Sequence, residues 1–266
     1  GLGLKIVNGI ANINSSFSGN GAVTLESSSA TLNLLSGSTL SMTGGITTNA
    51  GTINIETASS FDFSKVTGAG NTGTINLNRA TIASSGALSG AAGSKLNIGT
   101  TTSGSAATAT AFTTPSTITG IRQINLLTSG TVFTATQAVT SLDGVSGVGL
   151  TIGAGTHAKI SNTFSGTATS AFNMSGGTIR LAKLNTTLPE FQVTPYNLTA
   201  GTIELDGAGT QTLRGTRDYR NLSFSNSGTK GISSTINNIT GTVTVANSVI
   251  LDVLNNTMGG TGTNLT

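Results

Sequence analysis

The chain of 266 residues carries only 8% charged side chains, a formal charge of +3, one His, no Cys and no Trp. So weak an excess does not indicate a nucleic-acid partner, and without Cys there are neither disulfides nor thiolate chemistry. A hydrophobic content of 36% and a mean hydropathy of +0.16 argue against a disordered Ser/Thr/Gly linker, and so does a clear internal periodicity.

The opening stretch, GLGLKIVNGIAN, has neither an initiating Met nor a basic-then-apolar leader, and reads as a processed product or a piece of a longer chain. No run of roughly 18 apolar residues occurs, so no membrane-spanning helix is expected. What recurs instead is Gly-Thr-[Ile/Val]-x-[Ile/Leu/Val], starting at Gly51, Gly73, Gly177, Gly201 and Gly241. Looser versions fill the gaps: TLNLL, SKLNI, RQINL, VGLTI and RNLSF. Taking the first apolar residue of each, with Ile13 added, gives the anchors Ile13, Leu32, Ile53, Ile75, Leu96, Ile124, Leu150, Ile179, Ile203, Leu222 and Val243. Their mean interval is about 23 residues, too short a unit to bury a core alone.

Within each unit the apolar residues stand at i and i+2, the spacing of a strand and not of a helix. Ile, Val and Thr favour strands, whereas Gly and Asn favour turns. The expected fold is therefore all-β: a parallel β-solenoid, in right-handed β-helix form, with two or three strands per turn. About 11 coils of about 23 residues, at roughly 4.8 Å each, make a rod of about 50 Å. Tandem β-sandwich modules rank second, although their period near 100 residues is not visible. A membrane β-barrel needs aromatic girdles, which two Tyr and no Trp cannot build. The chain reads as one solenoid over 1–266, with projecting loops expected near 100–120 and 182–200, where the second holds two of the three prolines.

If the i and i+2 residues face the core, the residue between them faces out. The strip so defined holds Asn33, Asn54, Asn76, Asn97 and Asn125, followed by Thr151, Arg180, Glu204, Ser223 and Thr244. Stacked Asn side chains can hydrogen-bond along a parallel stack, either to brace the sheet or to offer a flat polar surface to a glycan or a neighbouring fibre. Arg180 and Glu204 hold equivalent places on successive repeats and are expected to pair across coils. Glu204 and Asp206 share a face at i, i+2, which superficially suggests the two carboxylates of a glycoside hydrolase. With nine acids scattered through the chain, few others are aligned to assist them, and no enzyme is expected.

The densest charge is RGTRDYR, which reads first as a solvated turn partly neutralised by Asp218, with Arg214, Arg217 and Arg220 as a candidate anion patch. His157 lacks the Cys or His partners of a zinc site. No Ca²⁺-binding GGxGxD repeat, P-loop, dinucleotide fingerprint or nucleophile elbow occurs, so neither metal nor cofactor is expected. Asn-x-Ser/Thr triplets at Asn185, Asn197, Asn238 and Asn255 follow from composition alone.

The stretch from Gly201 to Val253 resembles large secreted β-strand-repeat proteins of Bacteroidota. Gly207 to Thr212 matches their G-x-G-x-Q-T turn, Tyr219 to Phe224 their Tyr-x-Asn-Leu-x-[Phe/Ile] strand, Ser227 to Lys230 their S-G-T-K turn, and Thr242 to Val245 their T-V-x-V strand. The match is close over about 50 residues and one of style elsewhere. It implies export by the type IX route to the surface or medium, and a role as adhesin, filament or matrix component. It supplies no catalytic residues. The family's signal peptide and C-terminal sorting domain are not in this sequence, which fits a fragment or a mature filament subunit. Both ends look uncapped, so either the rod continues in a longer chain or subunits stack end to end. A polysaccharide-active β-helix enzyme, or a tailspike-like glycan binder, is the alternative function.

Overall fold

The computed structural model describes residues 3–56, 60–62, 65–66, 71–78, 88–89, 94–100, 109–114, 116–142, 148–166, 171–190, 197–260 and 264–265. Among these there is no α-helix, and every strand pairing is parallel. The chain is a β-solenoid of about nine turns. The largest sheet has 15 strands, and smaller sheets flank it.

The strict repeats stack as their sequence requires. Thr52, Ile53, Asn54 and Ile55 lie in register with Thr74, Ile75, Asn76 and Leu77, which in turn meet Lys95, Leu96, Asn97 and Ile98. In each rung the two apolar residues are buried and form a continuous core, with Leu32, Ile53, Leu96, Ile124 and Leu150 all 0% exposed. Burying an Ile or Leu side chain contributes about 1.5–3 kcal/mol, so a short rung holds only because its neighbours cover it.

The large sheet contains two ladders set side by side. The first runs through Gly9–Ile13, Ala30–Leu34, Thr52–Ile55, Thr74–Leu77, Lys95–Ile98, Gln123–Leu126, Val148–Ile152 and the first parts of Ala171–Leu181 and Asn197–Leu205. The second runs through Ala111–Thr113, Val132–Ala135, His157–Ile160, the second parts of those two long strands, then Asn221–Phe224, Thr242–Val245 and Asn264–Leu265. Both ladders use the same apolar–polar–apolar alternation, so periodicity alone does not say which ladder an anchor belongs to, and the turns number about nine against the eleven expected. Leu150 pairs with Phe172, and Ile179 pairs with Ala158, so the anchors cross from one ladder to the other between Leu150 and Ile179. Ile13 is also displaced, pairing with Leu34 and not with Leu32.

The long strands turn the corner between ladders at glycine. Gly177 has φ 78°, and a Cβ there would lie 2.3 Å from the Thr156 carbonyl oxygen. The repeat glycine has a different task in GTIN. Gly73 is not in the left-handed region; a Cβ at this position would sit 2.2 Å from the carbonyl oxygen of Gly51 on the rung below. It is there for close approach, and not for the turn that sequence reasoning assigned to it.

Aromatic residues thicken the core behind the second ladder. Phe112 and Phe133 stack with centroids 6.1 Å apart, and Phe164 meets Phe133 edge-on at 6.5 Å. Of the segment 100–120, residues 101–108 and 115 lie outside the described residues, while Ala111–Thr113 and Ile118–Thr119 are rungs of the stack. Of 182–200, residues 191–196 lie outside them, and Thr187–Leu188 is a rung. The strand signal within both segments was hidden by their Thr, Ala and Pro content.

Candidate functional site

The first ladder carries a continuous file of asparagines. Each donates from Nδ2 to Oδ1 of its counterpart one rung toward the N-terminus: Asn33 to Asn12 at 2.7 Å, Asn54 to Asn33 at 2.8 Å, Asn76 to Asn54 at 2.8 Å, Asn97 to Asn76 at 2.9 Å and Asn125 to Asn97 at 2.7 Å. An amide holds both donor and acceptor, so identical residues in register satisfy one another. All five residues singled out in the sequence belong to the file, and Asn12 extends it. Beyond Asn125 the register continues through Thr151 to Asn173 and Asn197, not to Arg180.

Burial decides what the file offers a partner. Asn33 is 1% exposed and Asn54 is 7% exposed, and Asn76, Asn97 and Asn125 are half-buried. Their hydrogen-bonding groups are spent on each other. This arrangement braces the sheet and leaves little amide surface for a ligand.

The second ladder carries a charged file. Its outward register runs Thr113, Thr134, Lys159, Arg180, Glu204, Ser223 and Thr244. The expected cross-coil pair is present, with Arg180 Nε 2.9 Å from Glu204 Oε2. Lys159 Nζ stands 3.8 Å from Asp206 Oδ2. The Ser225 hydroxyl donates to Glu204 Oε1 at 2.6 Å and lies 3.4 Å from Asp206 Oδ1. Glu204 and Asp206 are thus held by cations and a hydroxyl.

On the N-terminal side of those acids lies a concavity of about 340 Å³, lined by Val132, Thr134, His157, Lys159 and Arg180. His157 is the next outward residue along the strand from Lys159, with Val132 and Thr178 on its flanking rungs. Sequence reasoning dismissed His157 as a zinc ligand and did not group it with Lys159 and Arg180. The signal was in the outward positions, but only the correct register brings the three together.

Each arginine of the Arg214, Arg217 and Arg220 patch donates to a backbone carbonyl, with Arg214 and Arg217 half-buried and Arg220 exposed. Arg214 Nε donates to the Pro189 carbonyl at 3.0 Å, Arg217 Nη1 to that of Thr216 at 3.1 Å, and Arg220 Nη1 to that of Thr240 at 2.8 Å. Tyr219, which is 2% exposed, anchors the same turn by donating from its hydroxyl to the Arg214 carbonyl at 2.6 Å.

Sequence reasoning also missed a buried lysine. Ser227 to Lys230, expected as a turn, contributes to strand Gly228–Ile232, and Lys230 is 0% exposed. Its ammonium donates to the carbonyl of Gly207, to that of Gly209 at 3.0 Å and to Gln211 Oε1 at 2.9 Å. Gln211, also 0% exposed, accepts from the Gly207 amide at 2.9 Å and donates to the Leu181 and Lys183 carbonyls. Burial lowers the Lys230 pKa from its ordinary 10.5, and the Asp206 charge acts in the opposite direction. All three ammonium donors are used, so the group fastens the 206–211 turn to the next rung.

Among the described residues no group of three or more His, Asp or Glu side chains is placed to hold a metal ion, and no helix is long and apolar enough to cross a membrane. The fold defines the chain as a parallel β-solenoid protein. No family model, no curated protein and no solved structure matches it.

Proposed function

We propose that the chain is a non-enzymatic extracellular repeat protein, acting at the cell surface in adhesion or as a component of a filament or matrix. The observation that carries this reading is the asparagine file, whose five successive amide-to-amide hydrogen bonds turn the most repetitive surface of the molecule into internal bracing. Such a surface suits a rigid spacer, and the carboxylates that a polysaccharide-active enzyme would need are engaged by Arg180, Lys159 and Ser225. The resemblance of Gly201 to Val253 to secreted Bacteroidota repeat proteins supports an exported location and type IX secretion.

Association end to end, with a second copy or with more of the same chain, fits the exposed apolar residues. Val7 and Ile10 stand at one end of the described stack, and Ile250, Val253 and Leu254 at the other. Electron microscopy and sedimentation over a range of concentrations test this. Rods that lengthen with concentration are expected, and a monodisperse species at every concentration would count against self-assembly. Incubation with a panel of polysaccharides tests the rest: turnover would establish the enzyme, and binding without turnover supports an adhesin. Surface labelling of the producing cell, before and after its outer-surface proteins are shaved by protease, checks the location.

A further inference from the structure

We propose that the concavity around His157, Lys159 and Arg180 binds an acidic oligosaccharide through its carboxylate or sulfate groups. This rests on the reading of the chain as a surface repeat protein and names the chemistry of one of its contacts. Charged side chains are scarce in this sequence, making up 8% of it. Yet an imidazole, an ammonium and a guanidinium converge on one hollow. Its volume of about 340 Å³ falls at the lower end of the range of roughly 300–1,000 Å³ found for small-ligand sites.

The donors are available. Arg180 commits Nε to Glu204, its side chain is half-exposed, and two terminal amino groups lie beyond that Nε. Those two groups form the planar fork that suits a carboxylate or a sulfate. Lys159 stands 3.8 Å from Asp206, too far for a hydrogen bond, and about half of its side chain is exposed at 49%. His157 is exposed beside it. Glu204 and Asp206 hold the two cations from the C-terminal side, which keeps the long side chains in place without covering the hollow.

The surroundings favour a sugar over a bare ion. Thr134 and Thr178 flank the cations with hydroxyls on neighbouring rungs, and Val132 supplies an apolar wall opposite Thr178 across His157. Hydroxyls, cations and a small apolar surface in one shallow trough match the mixed faces of a uronic acid or a sulfated sugar. The lining residues come from three successive rungs, about 4.8 Å apart, so the hollow spans more than one rung along the stack.

The test is titration calorimetry of the intact 266-residue chain with three oligosaccharides of equal length: one of uronate units, one sulfated and one neutral. Wild type is expected to bind at least one acidic oligosaccharide, to weaken as salt is raised and to ignore the neutral one. The double variant Lys159→Gln/Arg180→Gln should lose about tenfold or more in affinity, as expected where charged hydrogen bonds are removed. Arg217→Gln/Arg220→Gln should bind as wild type does. Glu204→Gln frees the whole Arg180 fork and should tighten binding several-fold, which gives a second reading should the double variant fold poorly. Equal binding by wild type and both Lys159/Arg180 and Glu204 variants would overturn the site, and so would a preference for the neutral sugar or no binding of any. None of those results touches the reading as a surface repeat protein, which would fall instead if sugar were cleaved.

Discussion

The two ladders of the large sheet solve the same problem with different side chains. Parallel in-register stacking sets each outward residue beside its own counterpart, so a file must tolerate like next to like. Asparagine does, because each amide gives and receives, and the first ladder repeats it from Asn12 to Asn125 without a break. Like charges on adjacent rungs repel, and the second ladder nevertheless sets Lys159 directly beside Arg180. It confines its charges to a few rungs and closes Lys159 and Arg180 with Glu204 and Asp206. The amide file consumes its own polarity, whereas the charged file leaves some to spare. The first ladder is bracing, and the second carries the recognition we propose.

The sharpest way to separate the two is to compare damage behind and within them. Phe133→Ala removes the central ring of the Phe112–Phe133–Phe164 cluster and should cost about 3–5 kcal/mol in chemical denaturation, a loss felt through the core and not through either file. Next comes Lys230→Met, which leaves the Gly207 and Gly209 carbonyls and Gln211 Oε1 without their ammonium. Each orphaned acceptor costs on the order of 1–3 kcal/mol, and the melting temperature should fall accordingly. Asn54→Ala orphans Asn33 Oδ1 and Asn76 Nδ2 together, and should destabilise by a further order of about 1–3 kcal/mol. Asn125→Ala, at the end of the file, should cost less. If the two asparagine variants are equally stable, the file is not a bracing element.

Arg180→Gln belongs at the other extreme. Its own side chain is half-exposed at 52%, and its partner Glu204, though only 14% exposed, keeps the Ser225 hydroxyl, so stability should change by about 1 kcal/mol while the anion test responds. A smaller effect still is expected from pH. The folded pKa of Lys230 is lowered, so its titration penalises the fold fully below that value and the penalty is relieved as pH rises toward 10.5. Relative to Lys230→Met, wild-type stability should therefore gain with rising pH across that alkaline window, read by denaturation at a series of pH values. A flat or opposite difference would remove desolvation as the dominant influence on the ammonium.

The rungs from Thr31 to Leu126 were legible because their repeats are near-identical and equally spaced in residue type. Asn33, Asn54, Asn76, Asn97 and Asn125 could be read directly from them. The passage from Leu150 to Ile179 was not, because both ladders present the same alternation and periodicity cannot tell which face a strand occupies. That one slip hid the grouping of His157 with Lys159 and Arg180. Lys230 was hidden for another reason: its partners lie 19 to 23 residues away, and nothing local marks a lysine as buried. For the arginines of RGTRDYR the carbonyl partners of Arg214 and Arg220, Pro189 and Thr240, are remote in sequence and could not be read from it.

The asparagine file also gives the rod an arrow. Every amide in it points its NH₂ toward the N-terminal neighbour and its oxygen toward the C-terminal one. Backbone dipoles in a sheet largely alternate, but these side-chain dipoles add. The file is open at Asn12, on the first rung of the large sheet, whereas Asn125 lies inside the rod with Thr151 on the rung beyond it. A further rung joining at Asn12 must bring an oxygen to meet its amide, and two such rods meeting head to head would set donor against donor.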